Sequence, residues 1–305
     1  MSSWYFFAFL PPLLWAMSNH IDKYLLSKYL KNSNTSVLAM FAGLVGFLFS
    51  LFVLIIAPEN LLEISFWNAI IIILNGALLI VSFIPYYYAL NTEDASAVAP
   101  LYQTIPIFSF VLGFLVLGES ISITQIIAGL FIIAGSVLIS LDAAHSGFKV
   151  KMKVLLLMLL SSLLLAIHFV VFKVIALEES FWVTVFWEYI GASSVAVYML
   201  LFARENRRQF FAMLKTNSAG IITLSVFNEV INISAKLLAN YATLLVPVVV
   251  VNLANGLQPL FIFLIGVILT LFLPHIGTES MTKRHVIQRT VAIAILFIGT
   301  YLLVV

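Results

Sequence analysis

The sequence predicts an all-α membrane protein with ten transmembrane helices in two inverted five-helix repeats. Three observations lead to it. Of 305 residues, 63% are apolar and only 9% charged, with a mean hydropathy of +1.15, whereas a soluble domain carries roughly 25% charged residues. Apolar runs long enough to cross a bilayer, which takes about 20 residues, recur between short polar stretches along the whole chain. The second half also repeats the first in register.

The first run, near residues 4–26, begins without a basic n-region or a small-residue cleavage site, so it reads as a retained span and not a signal peptide. Four more runs near 36–57, 66–90, 95–117 and 120–141 complete the first set. The second set falls near 153–177, 180–202, 219–241, 244–273 and 286–305. An integral protein of a bacterial inner membrane is the simplest destination. No cysteine is present, which excludes disulfides, thiolate catalysis and Cys-based metal or cluster sites. The net charge of +2 comes largely from basic residues in short loops and offers no surface for nucleic acid.

The repeat is anchored by a shift of about half the chain. It places Pro259 on Pro106, Gly266 on Gly113, Tyr241-Ala242 on Tyr88-Ala89 and Asn228 on Asn75. Two units follow, residues 1–145 and 146–305. Five spans per unit is an odd number, so the second unit enters the membrane from the opposite side, an arrangement used by transporters with a site between the halves. The competing reading is a duplication kept only for packing. Pro100, Pro106 and Pro259 lie in apolar runs, where a missing N–H predicts kinked helices that face protein and not lipid.

The order "Pro106, Gly113 seven residues on, Leu117-Gly118-Glu119, then a Gly-containing apolar helix" resembles the EamA repeat of the drug/metabolite transporter superfamily. The resemblance implies a ten-span secondary transporter, commonly an exporter of amino acids, other metabolites or drugs, with no cofactor. It also implies an outer last span in each repeat, used for packing or for a dimer; Gly129, Gly135 and Gly299 would serve close helix contact there. Two departures stand out. Leu-Gly-Glu has no counterpart after the ninth span, which argues against a symmetric gating role for Glu119. Lys and Arg, among them Lys28, Lys31, Lys149, Lys151, Arg204, Arg207, Arg208, Lys215, Lys283 and Arg284, crowd the odd-numbered loops, while the even loops hold Glu59, Glu63, Glu119, Glu178 and Glu179. By the positive-inside rule the odd loops are cytoplasmic and both termini outside, opposite to the family's usual arrangement.

Ionisable groups inside spans are costly and mark candidate sites. In the eighth span Ser225, Glu229, Asn232, Lys236, Asn240 and Thr243 share one face at 100° per residue. Glu229 and Lys236 are two turns apart, too far to pair with each other, and Glu188 of the seventh span is the natural partner for Lys236. Asn75, Asn228, His168 and the aromatic and amide groups Tyr87, Tyr102 and Gln103 complete a predicted central cavity, the aromatic wall suiting an organic cation. For Tyr86 to Tyr88 an interfacial aromatic belt is the competing reading. Near the ends of the first and sixth spans, His20, Asp22, Lys23 and Lys173 are candidates for a gate or for coupling, with surface snorkelling as the alternative. Lys23 and Lys173 coincide when the two spans are aligned.

The expected function is outward alternating-access transport of a cationic or zwitterionic organic solute, with a proton as coupling ion. Glu229 or Glu188 would carry that proton. The protein would act as a monomer or homodimer in the bilayer. Two rivals are a translocase for an amphiphilic lipid-linked substrate and a membrane-embedded sensor or enzyme. No serine-hydrolase elbow, zincin motif or phosphate-binding glycine loop is present, so the chain reads as a non-enzyme without a metal site.

Overall fold

The computed structural model describes residues 4–29, 36–57, 60–90, 99–140, 152–216, 218–272 and 283–304, and among these there are helices and no strand. The helices are α1 (Trp4–Tyr29), α2 (Ser36–Ile56), α3 (Phe66–Leu90), a 3-10 helix (Ala99–Thr104) that runs into α4 (Ile105–Leu117), and α5 (Ile123–Ser140). They continue as α6 (Met152–Glu178), α7 (Phe181–Phe202), α8 (Arg204–Thr216), α9 (Ser218–Leu245), α10 (Val248–Asn255), α11 (Gln258–Phe272) and α12 (Lys283–Val304). Lys31, Glu59, Lys149 and Lys151 lie outside the described residues, as do the side chains of Lys28, Tyr87, Pro100, Lys283 and Arg284.

Among the described residues, six stretches are long and apolar enough to cross a membrane: Phe66–Tyr86, Met152–Glu178, Phe181–Phe202, Ala219–Leu245, Val248–Phe272 and Ile287–Val304. Met40–Ile56, Leu101–Leu117 and Ile123–Leu138 are shorter apolar helices. Large apolar side chains cover the outside, with Ile55 at 81% and Phe272 at 75% exposure, a surface that only lipid satisfies over this extent.

The proline expectation needs correction. Pro106 and Pro259 occupy the second positions of α4 and α11, so they open new helical segments and do not kink continuous ones. A missing N–H costs nothing in a first turn, where that donor has no intrahelical partner. Each predicted span is thus broken, at Thr104–Ile105 in one half and at Gly256–Leu257 in the other, and the two breaks coincide under the half-chain shift. Their freed backbone groups find protein partners, as a broken helix in a bilayer requires. Thr104 Oγ1 donates to the Leu101 carbonyl at 2.7 Å, and Ser136 Oγ donates to the Gly256 carbonyl. The prolines inside helices are Pro11 and Pro12 in α1 and Pro85 in α3.

The two halves interlock across their whole length. Helix α1 packs on α9 and α11, α6 on α3 and α4, α2 on α7, α5 on α12, and α4 on α10. Exchanging the halves turns the first two sets of pairs into one another and returns α2–α7 and α5–α12 to themselves. At α5–α12 a Cβ on Gly135 would meet Leu296 at 2.8 Å and one on Gly299 would meet Ile132 at 2.8 Å, so these glycines close a contact within the chain.

The tightest crossing is α3 with α7. A Cβ on Gly76 would lie 2.0 Å from the Glu188 carbonyl oxygen, and one on Gly191 would lie 2.0 Å from that of Ile73. Both neighbours are backbone and cannot rotate away. Gly76→Ala and Gly191→Ala should each lower the unfolding free energy in detergent by at least about 3 kcal/mol, the upper end of overpacking costs. Gly118→Ala, at a left-handed φ of 66° with nothing near its would-be Cβ, should cost only about 1–2 kcal/mol. Equal melting curves for all three variants would contradict this crossing.

Candidate functional site

The predicted polar face of α9 points into the protein: Ser225, Asn228, Asn240 and Thr243 are buried, and Glu229, Asn232 and Lys236 are half-buried. Polar groups gather around it at three levels.

The middle level is built on Glu188 of α7, whose side chain is wholly buried. A buried carboxylate needs both charge and hydrogen-bond compensation. Lys236 Nζ lies 2.8 Å from Oε2 and 4.7 Å from the centre of the Tyr189 ring, and Asn240 Nδ2 approaches Oε2 at 3.5 Å. His168 Nε2 lies 3.4 Å from Oε1. On its far side His168 Nδ1 lies 3.3 Å from the Asn75 carbonyl, while Asn75 Nδ2 donates to the His168 carbonyl at 3.1 Å. A carbonyl only accepts, so Nδ1 carries a hydrogen. His168 Nε2 and Glu188 Oε1, which have no hydrogen-bond partner, then face each other across a gap that one proton would bridge. The glycine crossing at Gly76 and Gly191 is what brings α3, with Asn75, against α7, with Glu188.

The second level lies toward the odd-loop end. Asn228 Nδ2 donates to Asp22 Oδ1 at 2.7 Å. Glu229 is hydrogen-bonded to the Asn232 side chain and is close enough to Asp22 for the two carboxylates to repel. Tyr86 feels the same Asp22 charge, and its ring lies 5.1 Å from that of Tyr102, whose hydroxyl Ser161 Oγ reaches at 3.4 Å. Among the described residues no basic side chain pairs with Asp22 or Glu229. His20 fastens α1 to α11 instead, its Nε2 2.9 Å from the Ile262 carbonyl. Gln103 is buried against the break in the second half, its Oε1 3.1 Å from where a Gly256 Cβ would sit. Tyr88 is 61% exposed, as a belt residue would be. Glu229 and Lys236 are about 10 Å apart along the axis of α9, at 1.5 Å per residue.

The third level, at the even-loop end, changes the reading of Lys173. It does not snorkel. Its Nζ is 2.5 Å from Glu119 Oε1 and donates to the Val246 carbonyl at 3.0 Å, while Glu119 Oε2 accepts from the Val248 N–H at 2.9 Å. Lys23, its aligned counterpart, is exposed, so the two lysines are not equivalent. The Leu-Gly-Glu corner explains how Glu119 gets there. Gly118 takes a left-handed conformation, its N–H bonding Phe114 and that of Glu119 bonding Gly113, which closes the end of α4. Gly113 leaves room for the returning carboxylate, since a Cβ there would lie 2.7 Å from Glu119 Oε2. Glu119 thereby caps the N-terminus of α10, where backbone N–H groups and the helix dipole favour an anion.

With this geometry in view, comparison with known proteins is direct. Residues 2–141 match the model of the EamA-like transporter family. Just under half of the chain thus resembles that family. It is a membrane transporter family of the drug/metabolite transporter superfamily. Among curated proteins, none matches the sequence. One crystal structure superposes over 100% of this chain and 99% of its own with a TM-score of 0.67 at 13% identity, a likeness of fold that takes in both halves.

The sequence pattern paired Lys236 with Glu188, and the two are 2.8 Å apart. It did not reveal Tyr189 beneath the ammonium, nor the buried link from Asn252 Nδ2 to Ser109 Oγ at 2.7 Å between α10 and α4. None of these three residues stands out in an apolar run. If Glu188 and Lys236 form a closed buried pair, Lys236→Met and Glu188→Gln should each destabilise by about 3–5 kcal/mol. The double variant should recover most of the loss. A double-mutant cycle of thermal unfolding in detergent measures this, and additive losses would contradict the pairing.

Proposed function

We propose that the chain is a secondary-active transporter of a small cationic or zwitterionic organic solute. It crosses a bacterial inner membrane ten times as two inverted five-helix units, residues 1–145 and 146–305. The odd loops would be cytoplasmic, both termini outside, and transport outward by alternating access with proton coupling. The family supports the transporter class, and the exchange symmetry of the helix pairs supports the inversion.

The observation that carries the solute class is the Asp22–Glu229 pair. One carboxylate comes from each half, and no basic side chain among the described residues offsets them. Two carboxylates together at membrane depth call for a positive charge between them, supplied by a proton or by an ammonium group. Tyr86 and Tyr102 beside them add aromatic surface suited to a cation. Lys236 is occupied by Glu188, so it is the less accessible contact.

Polar ties across the even-loop end support a state closed on that side. Besides the Glu119–Lys173 clasp, Asn68 Nδ2 donates to Glu179 at 2.6 Å, the Ser65 N–H to Glu179 at 3.1 Å, and Trp187 Nε1 to the Leu61 carbonyl at 2.9 Å.

The test is a thermal-shift screen of purified protein against amines, amino acids, nucleotides, sugars and lipids, repeated with Asp22→Asn and Glu229→Gln. An amine or amino acid should stabilise the wild type, by about 2.7 kcal/mol at a hundredfold excess over Kd, and neither variant. In proteoliposomes, uptake of that solute should follow an imposed pH gradient. Lipid scrambling without a gradient, or equal shifts in wild type and variants, would overturn the proposal.

A further inference from the structure

Helix α8 lies between two apolar helices, is itself too polar to cross a bilayer, and divides sharply into two faces. Phe210 is buried in a cluster with Met40, Phe41 and Ile221, which docks α8 across the odd-loop ends of α2, α7 and α9. Arg207 also turns inward, its Nη1 donating to the Leu200 and Leu201 carbonyls at 3.1 and 3.2 Å. Arg204, Arg208, Phe211 and Lys215 are exposed, and at 100° per residue they fall within about 60° of one another on the opposite face. Of these cations Arg208 shares its charge with Glu205 at 3.0 Å; Gln209 and Arg208 hold that carboxyl below the usual carboxylate range.

Four residues beyond Lys215 a second feature begins. Ala219, Gly220, Thr223, Leu224 and Phe227 line a shallow, open and almost entirely apolar groove on the outward face of α9. Lipid-level apolar surface thus adjoins a row of cations at the membrane boundary. We infer that α8 and the start of α9 form a binding site for an anionic phospholipid, with the headgroup phosphate between Arg208 and Lys215, Arg204 extending the positive field along the same face, and an acyl chain in the groove. Charge complementarity selects an anionic lipid over a zwitterionic one, and the groove selects a lipid over a free phosphate. Phe211, 51% exposed beside the cations, sits where an aromatic ring partitions into the headgroup region.

The site is independent of the transport reading, and so is its test. Full-length protein in detergent is loaded with phosphatidylglycerol or phosphatidylcholine and the retained lipid counted by native mass spectrometry. Wild type should retain phosphatidylglycerol preferentially. Each of Arg204→Gln, Arg208→Gln and Lys215→Gln should weaken it about fivefold, the effect of one surface cation, while leaving phosphatidylcholine unchanged. Thr223→Trp, which fills the groove, should lower phosphatidylglycerol retention without changing binding of soluble glycerophosphate. All four positions are exposed, and an unchanged melting temperature in detergent verifies folding. Equal retention of both lipids by wild type, or no loss in the triple Gln variant, would overturn the inference. Glycerophosphate binding as strong as the lipid's would do the same.

Discussion

Glu188 sets the terms for the centre of this protein. A carboxylate with no solvent exposure must be met by charge and hydrogen bonds within reach, or it does not stay ionised. Meeting that demand draws in three other helices: Lys236 and Asn240 come from α9 and His168 from α6, with Asn75 of α3 holding the imidazole. Close approach of α3 and α7 at Gly76 and Gly191 makes the arrangement possible. Filling either glycine would move the carboxylate away from its partners, so packing and electrostatics cannot be separated here.

From that centre the polar groups spread along α9 in both directions, and the three levels differ in how far their charges close. Lys173 and Glu119 are compensated by each other and by the broken backbone between α9 and α10. Glu188 is compensated by Lys236, with a gap to His168 that one proton would fill. Asp22 and Glu229 are not compensated by any described base. An incomplete charge set is expensive in a bilayer, and its persistence in the interior between the halves is the physical argument for a transported or coupling cation. Charge closure elsewhere makes that one deficit meaningful.

Much of this was readable in the residues, for identifiable reasons. Hydrocarbon demands long apolar runs, so the bounds read for Phe66–Leu90, Met152–Glu178 and Phe181–Phe202 lie within about one residue of those observed. Helical periodicity exposed the face of α9, and the cost of a buried charge paired Lys236 with Glu188. Lys173 was different: its partner lies 54 residues away and reaches it only because Gly118 turns left-handed and Gly113 lacks a side chain. Pro106 and Pro259 were expected to kink helices, since a proline in an apolar run does not distinguish a bend from a fresh start. Helix α8 escaped a search for apolar runs because its residues are mostly polar and charged.

The EamA-like half and its partner therefore combine a rigid crossing, a clasp at one end and an acidic pair that no described base offsets. Access is the property that joins them. The chain has no native cysteine, so a single cysteine at Asn232, beside Glu229, reports it cleanly with a membrane-impermeant maleimide applied to right-side-out and inverted vesicles. The account predicts labelling from the odd-loop side alone, with labelling from the even-loop side appearing once Lys173→Met releases the clasp. Labelling that ignores Lys173, or none from either side, would contradict it.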